Sequence, residues 1–521
     1  MKKPLGIDFG TSNTCASTLG AACEAVTIKF SDGNTLLPTV VFFGPNNEII
    51  IGQEAKNMRA AYPEDVVCEV KRQAGKTDPD GRPAIRHVTG DGTSWTNEGV
   101  AGLVIAKVKK DSEAQVGSEI DSVLITVPAC FDQAQREFII NAGKMAGFKH
   151  VAVMDEPTAA AYAYGLSKAP GKYVVTDLGG GTFDVTAVMV DAQGNVKALA
   201  TGGRAELGGI DFDLVVIARA TKEMEAAGVD KTMLEDPAIR QDIKGRAESL
   251  KHTLSVRSEA QFNMFVDGKR VSFTYTREEF ERDTKPLMDQ VIAITDETLK
   301  KASLTPKDIT DTILVGGATR MPMVAARLTE LMGKAPKKDA DPDLIVARGA
   351  ALTQAKMLQE SGETLLSDKG ERLRTLPGGK ILNCAAHSLG CKAFDITGTH
   401  EEFAAIIHRN AVLPAKNVAT FAMKQHGQTA VMVSIYQGEP GMPLSECRHI
   451  DDVALSGLPV KDPPGPRIEV EYGVTAGGLC DVFVKDTVSG KSAKAQLSNI
   501  MGMKEQDVQE GEKAIRQAKI Q

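Results

Sequence analysis

Two short segments about 170 residues apart share one pattern, and that repetition constrains the fold more than any other feature of the chain. Near the start stands Gly6-Ile-Asp8-Phe-Gly10-Thr11-Ser12-Asn13-Thr14. Further on stands Val175-Thr-Asp177-Leu-Gly179-Gly180-Gly181-Thr182-Phe-Asp184. Each is an apolar strand that carries an aspartate and runs at once into a Gly/Thr turn. A duplicated hairpin of this kind predicts two related lobes that face one another.

The turns have a chemistry of their own. Glycines let several backbone N–H groups point at one spot, because no Cβ blocks the approach, and such a nest binds phosphate oxygens. The hydroxyls of Thr11, Ser12 and Thr182 add donors. Asp8 and Asp177 would repel a phosphate unless a cation stands between, so the pair implies Mg²⁺ held largely through water. A third Gly-Gly turn, Leu314-Val-Gly316-Gly317-Ala318-Thr319-Arg320, offers a flat surface for a nucleoside with Arg320 beside it. The sequence contains no Walker motif and no G-x-G-x-x-G opening a helix, which disfavours P-loop and Rossmann folds.

Around these turns the first 360 or so residues alternate strand-like and helical stretches, as in 123–127 before 133–145, which predicts an α/β unit. A polar stretch at 361–380 predicts a linker, placed at 361–383. Short alternating segments then occupy 384–500; Ile468-Glu-Val470-Glu-Tyr472 has its apolar residues at every second place, the mark of a half-buried strand. Residues 501–521 leave room for one short polar helix. The net charge of −7 comes without a long basic run, so nothing points to nucleic acid. No apolar run is long enough to span a membrane, and the N-terminus lacks a secretory pattern. The 8 scattered cysteines show no zinc spacing and predict reduced thiols in a cytoplasmic protein.

The three turns, in this order, resemble the actin-like (ribonuclease-H-like, duplicated) ATPase superfamily. Within it the chain resembles the 70-kilodalton heat-shock, DnaK-type chaperones. The likeness rests on Ile125-Thr-Val-Pro128-Ala-Cys-Phe131-Asp-Gln-Ala-Gln-Arg136, Asp155-Glu156-Pro157-Thr158-Ala-Ala-Ala-Tyr-Ala-Tyr-Gly165, Leu207-Gly208-Gly209-Ile-Asp211-Phe-Asp213 and Ala347-Arg-Gly-Ala-Ala351. The resemblance implies ATP/ADP and Mg²⁺ as ligands, with K⁺ a further candidate, and hydrolysis by in-line water attack. It implies catalytic roles for Lys71, Glu156, Asp177 and Thr182. Lys71 alone reads as one more solvated lysine in a basic stretch with Arg72 and Lys76. The resemblance also implies nucleotide contacts at Asp8, Gly10, Thr11, Ser12, Asn13, Gly179, Gly180, Gly181, Gly208, Gly209, Gly316, Gly317, Ala318, Arg320 and Asp343. For adenosine it points to Glu248, Lys251, His252 and Ser255; the first, second and fourth share one helical face, as an ordinary salt-bridged surface would.

The resemblance further implies an all-β sandwich that binds extended polypeptide, with Phe394, Ile406, Val431 and Val433 lining its cleft. J-domain and nucleotide-exchange partners follow in the same way, and a monomer is expected. Three positions depart from the family pattern. The leucine-rich linker is replaced by Gly379-Lys-Ile-Leu382-Asn383, with Leu365-Leu366 a displaced substitute. Ala152 stands where a partner-docking arginine is usual, and Asp155 where asparagine is usual. Too few residues follow the β segment for a helical lid, which predicts rapid release of bound peptide. Two rivals remain: a nucleotide-dependent scaffold with little hydrolysis, and a metabolite kinase on the same fold.

Overall fold

A computed structural model describes residues 1–79, 82–165, 170–337, 341–376, 379–394, 400–425, 427–460, 465–496 and 503–521. The two sequence repeats are the centres of two sheets built on one plan. In the first lobe, Gly6–Phe9 turns back antiparallel onto Asn13–Leu19 and lies parallel to Ser122–Val127, which lies parallel to His150–Asp155. In the second, Gly171–Leu178 turns back onto Phe183–Val190 and lies parallel to Asp311–Val315. The registers correspond as well, Asp8 facing Cys15 and Asp177 facing Asp184. Near-continuous apolar burial in these strands fits sheets covered on both faces. The alanine-rich helix Glu156–Gly165 packs on Ile345–Glu360 between the sheets, where small side chains let the backbones approach.

Beyond the lobes, two four-stranded sheets face one another over a shared core. One runs in the order Glu401–Ile407, Ser388–Phe394, Ala430–Gly438, Arg448–Ser456; the other Ala415–Ala422, Pro466–Val474, Cys480–Asp486, Ser492–Gln496. Ile468, Val470 and Tyr472 point into that core while Glu469 and Glu471 face outward, as their alternation predicts. The Tyr472 hydroxyl donates to the Gly390 carbonyl of the opposite sheet. The fully buried Arg467 grips Asp486 through two 2.6 Å bonds.

The expected linker is mostly not one. Leu365 is 1% exposed and belongs to the core between the lobes, because the Lys2 N–H donates to the Thr364 carbonyl and the Leu366 N–H to the Lys2 carbonyl, which draws the segment in. Leu365-Leu366 therefore does not substitute for the linker leucines. Ser367 and Leu373 are buried too, while Pro377 and Gly378 lie outside the described residues. Ile381–Leu382 instead adds a parallel edge strand to Val196–Arg204 of the second lobe. The tail is packed against the first lobe as well. Glu505–Gln517 packs across Asn97–Val116 and Gln133–Met145, and Lys519–Ile520 joins the small sheet Glu48–Ile51, Val40–Phe43, Val66–Cys68.

The β unit also touches the lobes through side chains. Arg136 donates to the Phe131 carbonyl (3.2 Å), the Gly477 carbonyl (3.0 Å) and Asp155 (2.6 Å). Asp155 thus makes a buried ion pair beside the docked sheet, a pairing that an asparagine could not form. Arg448 pairs with Asp132, and Arg409 donates to the Thr201 carbonyl at 3.1 Å.

Candidate nucleotide site

Both Gly/Thr turns open into one cleft of about 1030 Å³ between the lobes. On the first-lobe side it is lined by Asp8, Gly10, Thr11, Ser12 and Asn13. Opposite stand Asp177, Gly179, Gly180, Thr182 and Gly209. The third turn closes a further wall with Gly316, Gly317, Ala318 and Arg320, next to Asp343. Gly181 and Gly208 are not on the wall. They stack behind it, where a Cβ on Gly208 would come within 2.6 Å of the Gly181 backbone. Gly316 has φ +82°, and a Cβ there would lie 2.5 Å from the Leu178 carbonyl oxygen, so only glycine lets the third turn sit against the second.

Lys71 sits on a short 3-10 turn, Val70–Gln73, that the left-handed Glu69 (φ +59°) starts. This turn carries its ammonium inward to within 2.7 Å of Glu156, and both side chains are buried. Arg72 and Lys76, its neighbours in the basic stretch, go elsewhere: Arg72 to Asp211 at 2.6 Å, Lys76 to a loose exposed pairing with Glu206 at 3.8 Å. A solvated lysine is therefore not what position 71 holds. Burial alone would lower the Lys71 pKa, but the charges of Glu156 and Asp8 outweigh it and the net shift is upward.

Carboxylates crowd the same spot. Burial first, then the charge of Glu156, pushes Asp8 up to about 7. The same two causes raise Asp177 well above its ordinary range, with Asp8 adding to them. Asp184, buried beneath the second turn, also rises to about 7 through burial and Glu156. One buried lysine does not neutralise this cluster, so a cation at Asp8 and Asp177 would relieve it. Among the described residues no three His, Cys, Asp or Glu side chains converge as a direct metal cage. That donor set fits Mg²⁺, which keeps several waters and takes its remaining ligands from phosphate.

The adenosine candidates line the other end of the cleft from the helix Pro237–Val256. Lys251 is buried, donating to Asp213 and to the Gly209 carbonyl, each at 2.8 Å. Glu248 receives Lys56 at 2.7 Å and Arg59 at 3.8 Å from across the cleft. Ser255 donates back to the Lys251 carbonyl at 3.1 Å, and His252 is held below its ordinary pKa by burial and by Lys251. Arg320 is clamped by Asp343 (2.5 Å) and Asp341 (3.2 Å).

Several participants escaped the sequence reading. Arg72 donates to the Gly181 carbonyl at 3.1 Å and to Asp211, which also accepts the Gly208 N–H at 2.7 Å; a residue of the first lobe thus grips the second-lobe turn. Asp184 and Asp213 lie inside recognised motifs, two and four residues past Thr182 and Gly209, and their burial was the missing information. Lys56 and Arg59 carry no local signal, because their partner is about 190 residues away.

The proposed peptide cleft is less open than expected. Ile406 (2% exposed) and Val433 (6%) are packed in the sandwich core, and Val431 lies against it. Both point inward because they occupy core-facing strand positions. Phe394 is 37% exposed, with the Lys424 ammonium 3.3 Å above its ring centroid.

Two lobes built on duplicated hairpins, with glycine turns and acidic residues converging in the cleft between them, define a nucleotide-binding protein of the actin-like class. The chain matches the family model for Hsp70 protein over residues 4–521, and it belongs to the Hsp70 family. Members of that family are nucleotide-dependent chaperones. No helix among the described residues is long and apolar enough to cross a membrane.

Proposed function

We propose that this protein is an ATP-dependent chaperone that hydrolyses Mg-ATP in the cleft and binds unfolded or extended polypeptide on its β sandwich. The observation that carries the first half is the buried Lys71–Glu156 pair, set between Asp8, Asp177 and the two glycine turns. In this reading the turns and the Thr11, Ser12 and Thr182 hydroxyls hold the β- and γ-phosphates, so the γ-phosphorus is fixed in line for attack by water. Glu156 orients that water. Lys71, kept charged by the surrounding carboxylates, stabilises the negative charge that develops on the transferring group. Mg²⁺ bound at Asp8 and Asp177 would neutralise the phosphate oxygens. Glu248, Lys251, His252, Ser255 and Arg320 would hold the nucleoside, and Gly317 with Asp343 would face its ribose or base.

The burial of Ile406 and Val433 favours a second reading for the β unit: a binding module for one dedicated client, with little hydrolysis. Single-turnover hydrolysis of ATP, with and without a denatured client and with no phosphate acceptor, separates the two. Turnover that accelerates with client supports the chaperone. Tight ATP binding without hydrolysis, Lys71 being present, supports the scaffold. A strict need for a small-molecule acceptor would make the protein a kinase and refute both.

A further inference from the structure

The C-terminal segment is built into the core of the first lobe. Met503, Val508 and Ile515 are buried among its apolar side chains. The helix comes close at Gly102, where a Cβ would stand 2.8 Å from the Ile515 Cδ1 atom and 3.2 Å from the Ala142 carbonyl oxygen. Beyond the helix, Lys519–Ile520 pairs in parallel with Glu48–Ile51, Lys519 against Glu48 and Ile520 against Ile49. The Gln521 N–H donates to the Ile49 carbonyl at 2.9 Å, and Lys110 donates to the Ile520 carbonyl at 3.0 Å. A helix of thirteen residues is marginal on its own in water, so this one depends on the lobe it covers.

The opposite end of the β unit is fixed by the same device on the other lobe. Ile381–Leu382 adds a strand to Val196–Arg204, only a few residues before the sandwich begins at Ser388–Phe394. The sandwich therefore hangs between two strand additions, one on each lobe, with the six residues 497–502 joining it to the C-terminal one. A unit held at one end can swing away when that contact breaks. Held at both ends, it cannot leave unless one of the anchoring strands peels off.

We propose that the C-terminal helix and strand form a strap that keeps the β sandwich docked on the nucleotide-binding lobes, so that exchanging ATP for ADP does not release it. The nucleotide arms of the test rest on the proposed nucleotide site; the ligand-free arm does not.

The test uses the full chain with a site-specific protease sequence placed between Gln496 and Met503, folded first and cut afterwards. Small-angle X-ray scattering is recorded without nucleotide, with Mg-ADP and with Mg-ATP. The uncut protein should stay near the roughly 24 Å radius of gyration of a compact chain of 521 residues in all three states. The cut protein should expand by several ångströms without nucleotide and with ADP. Equal expansion of cut and uncut protein, or a cut protein that stays compact throughout, would overturn the strap. As a second variant, Ile515→Asp in the uncut chain should lose hydrogen-exchange protection over 505–520 while keeping it over 6–19, and should expand likewise. If Ile515→Asp fails to fold, the cut protein still decides. If Mg-ADP gives no added protection over 175–184, the nucleotide site is at fault, and the ligand-free comparison still judges the strap.

Discussion

Replacing Lys71 with methionine removes the charge and keeps much of the stem. At 2.7 Å from Glu156, and with an effective dielectric near 20, the attraction lost is roughly 6 kcal/mol. In the intact protein most of this offsets the desolvation of the two ions. Deleting one partner leaves a buried carboxylate uncompensated, which typically costs about 3–5 kcal/mol of stability. The cost should depend on pH. Asp8 and Asp184 already titrate near 7, above their ordinary 3.8, so the folded protein binds more protons than the unfolded chain between those values. Stability from these groups is present in acid and lost as pH rises through about 7. Loss of Lys71 raises Asp8 and Asp177 further, so the variant should melt closest to the parent near pH 6 and fall behind at pH 8. Mg-ADP should narrow the gap. In single-turnover assays, hydrolysis should drop by about 10²–10³, the cost of removing one preorganised donor from developing charge. ADP affinity should change only a few-fold, since the adenosine candidates stand on the helix Pro237–Val256 and not on the turn that carries Lys71. A Lys71→Met protein that hydrolyses within about five-fold of the parent rate, well short of the loss such a donor deletion causes, would refute the assignment.

Arg72 holds the turn that faces Lys71 without touching the cleft, so Arg72→Ala should lower the hydrolysis rate at nearly unchanged ADP affinity, and Arg72→Lys should restore part of it, as single-turnover and binding assays would show. Gly316→Ala forces a side chain at φ +82° into the Leu178 carbonyl and should abolish nucleotide binding by calorimetry while the sandwich, probed by hydrogen exchange, stays folded. Asp486→Asn leaves Arg467 buried without its charge and should cost about 3–5 kcal/mol at pH 7 by urea melts. The Arg467 guanidinium holds the Asp486 carboxyl far below its ordinary 3.8, so its stabilisation is present above that value and is lost as pH falls toward the native one. The gap between Asp486→Asn and the parent should therefore shrink in acid below about pH 4.

What the sequence made legible is what backbone geometry demands locally. A strand, an aspartate and a glycine turn occupy nine consecutive residues in one copy and ten in the other, so the hairpins and their duplication could be read directly. The alternation of Ile468, Val470 and Tyr472 is equally local. Pairings set by tertiary packing could not be read. Nothing near Lys71 says that Glu69 turns left-handed and sends the lysine inward while Arg72 crosses to the other lobe. Polar composition at 361–380 suggests a linker, yet two backbone bonds to Lys2 hold its first part in the core. The docking of the tail helix could not be read for the same reason: Val508 and Ile515 are seven residues apart on a strongly polar helix, and only the groove between two other helices explains them.

Cys130 joins the acidic cluster to the β sandwich through its own backbone. Its N–H donates to Asp184 at 2.9 Å, and its carbonyl meets His387 Nε2 at 3.0 Å. A carbonyl only accepts, so Nε2 carries the proton. Burial holds the His387 pKa below the ordinary 6.5 and Arg409 acts in the same direction, while the Cys130 carbonyl, Asp132 and Glu439 oppose them without reversing the shift. The docked form therefore resists protonation, and the unfolded chain binds the extra proton between the lowered value and 6.5. Stability from this contact is present above about 6.5 and is lost as pH falls through the native value. His387→Gln keeps a donor for the carbonyl but cannot titrate. Between about pH 5 and 7.5 the parent should gain stability relative to His387→Gln in denaturant melts. Parallel curves for the two proteins would mean that the contact carries no linkage.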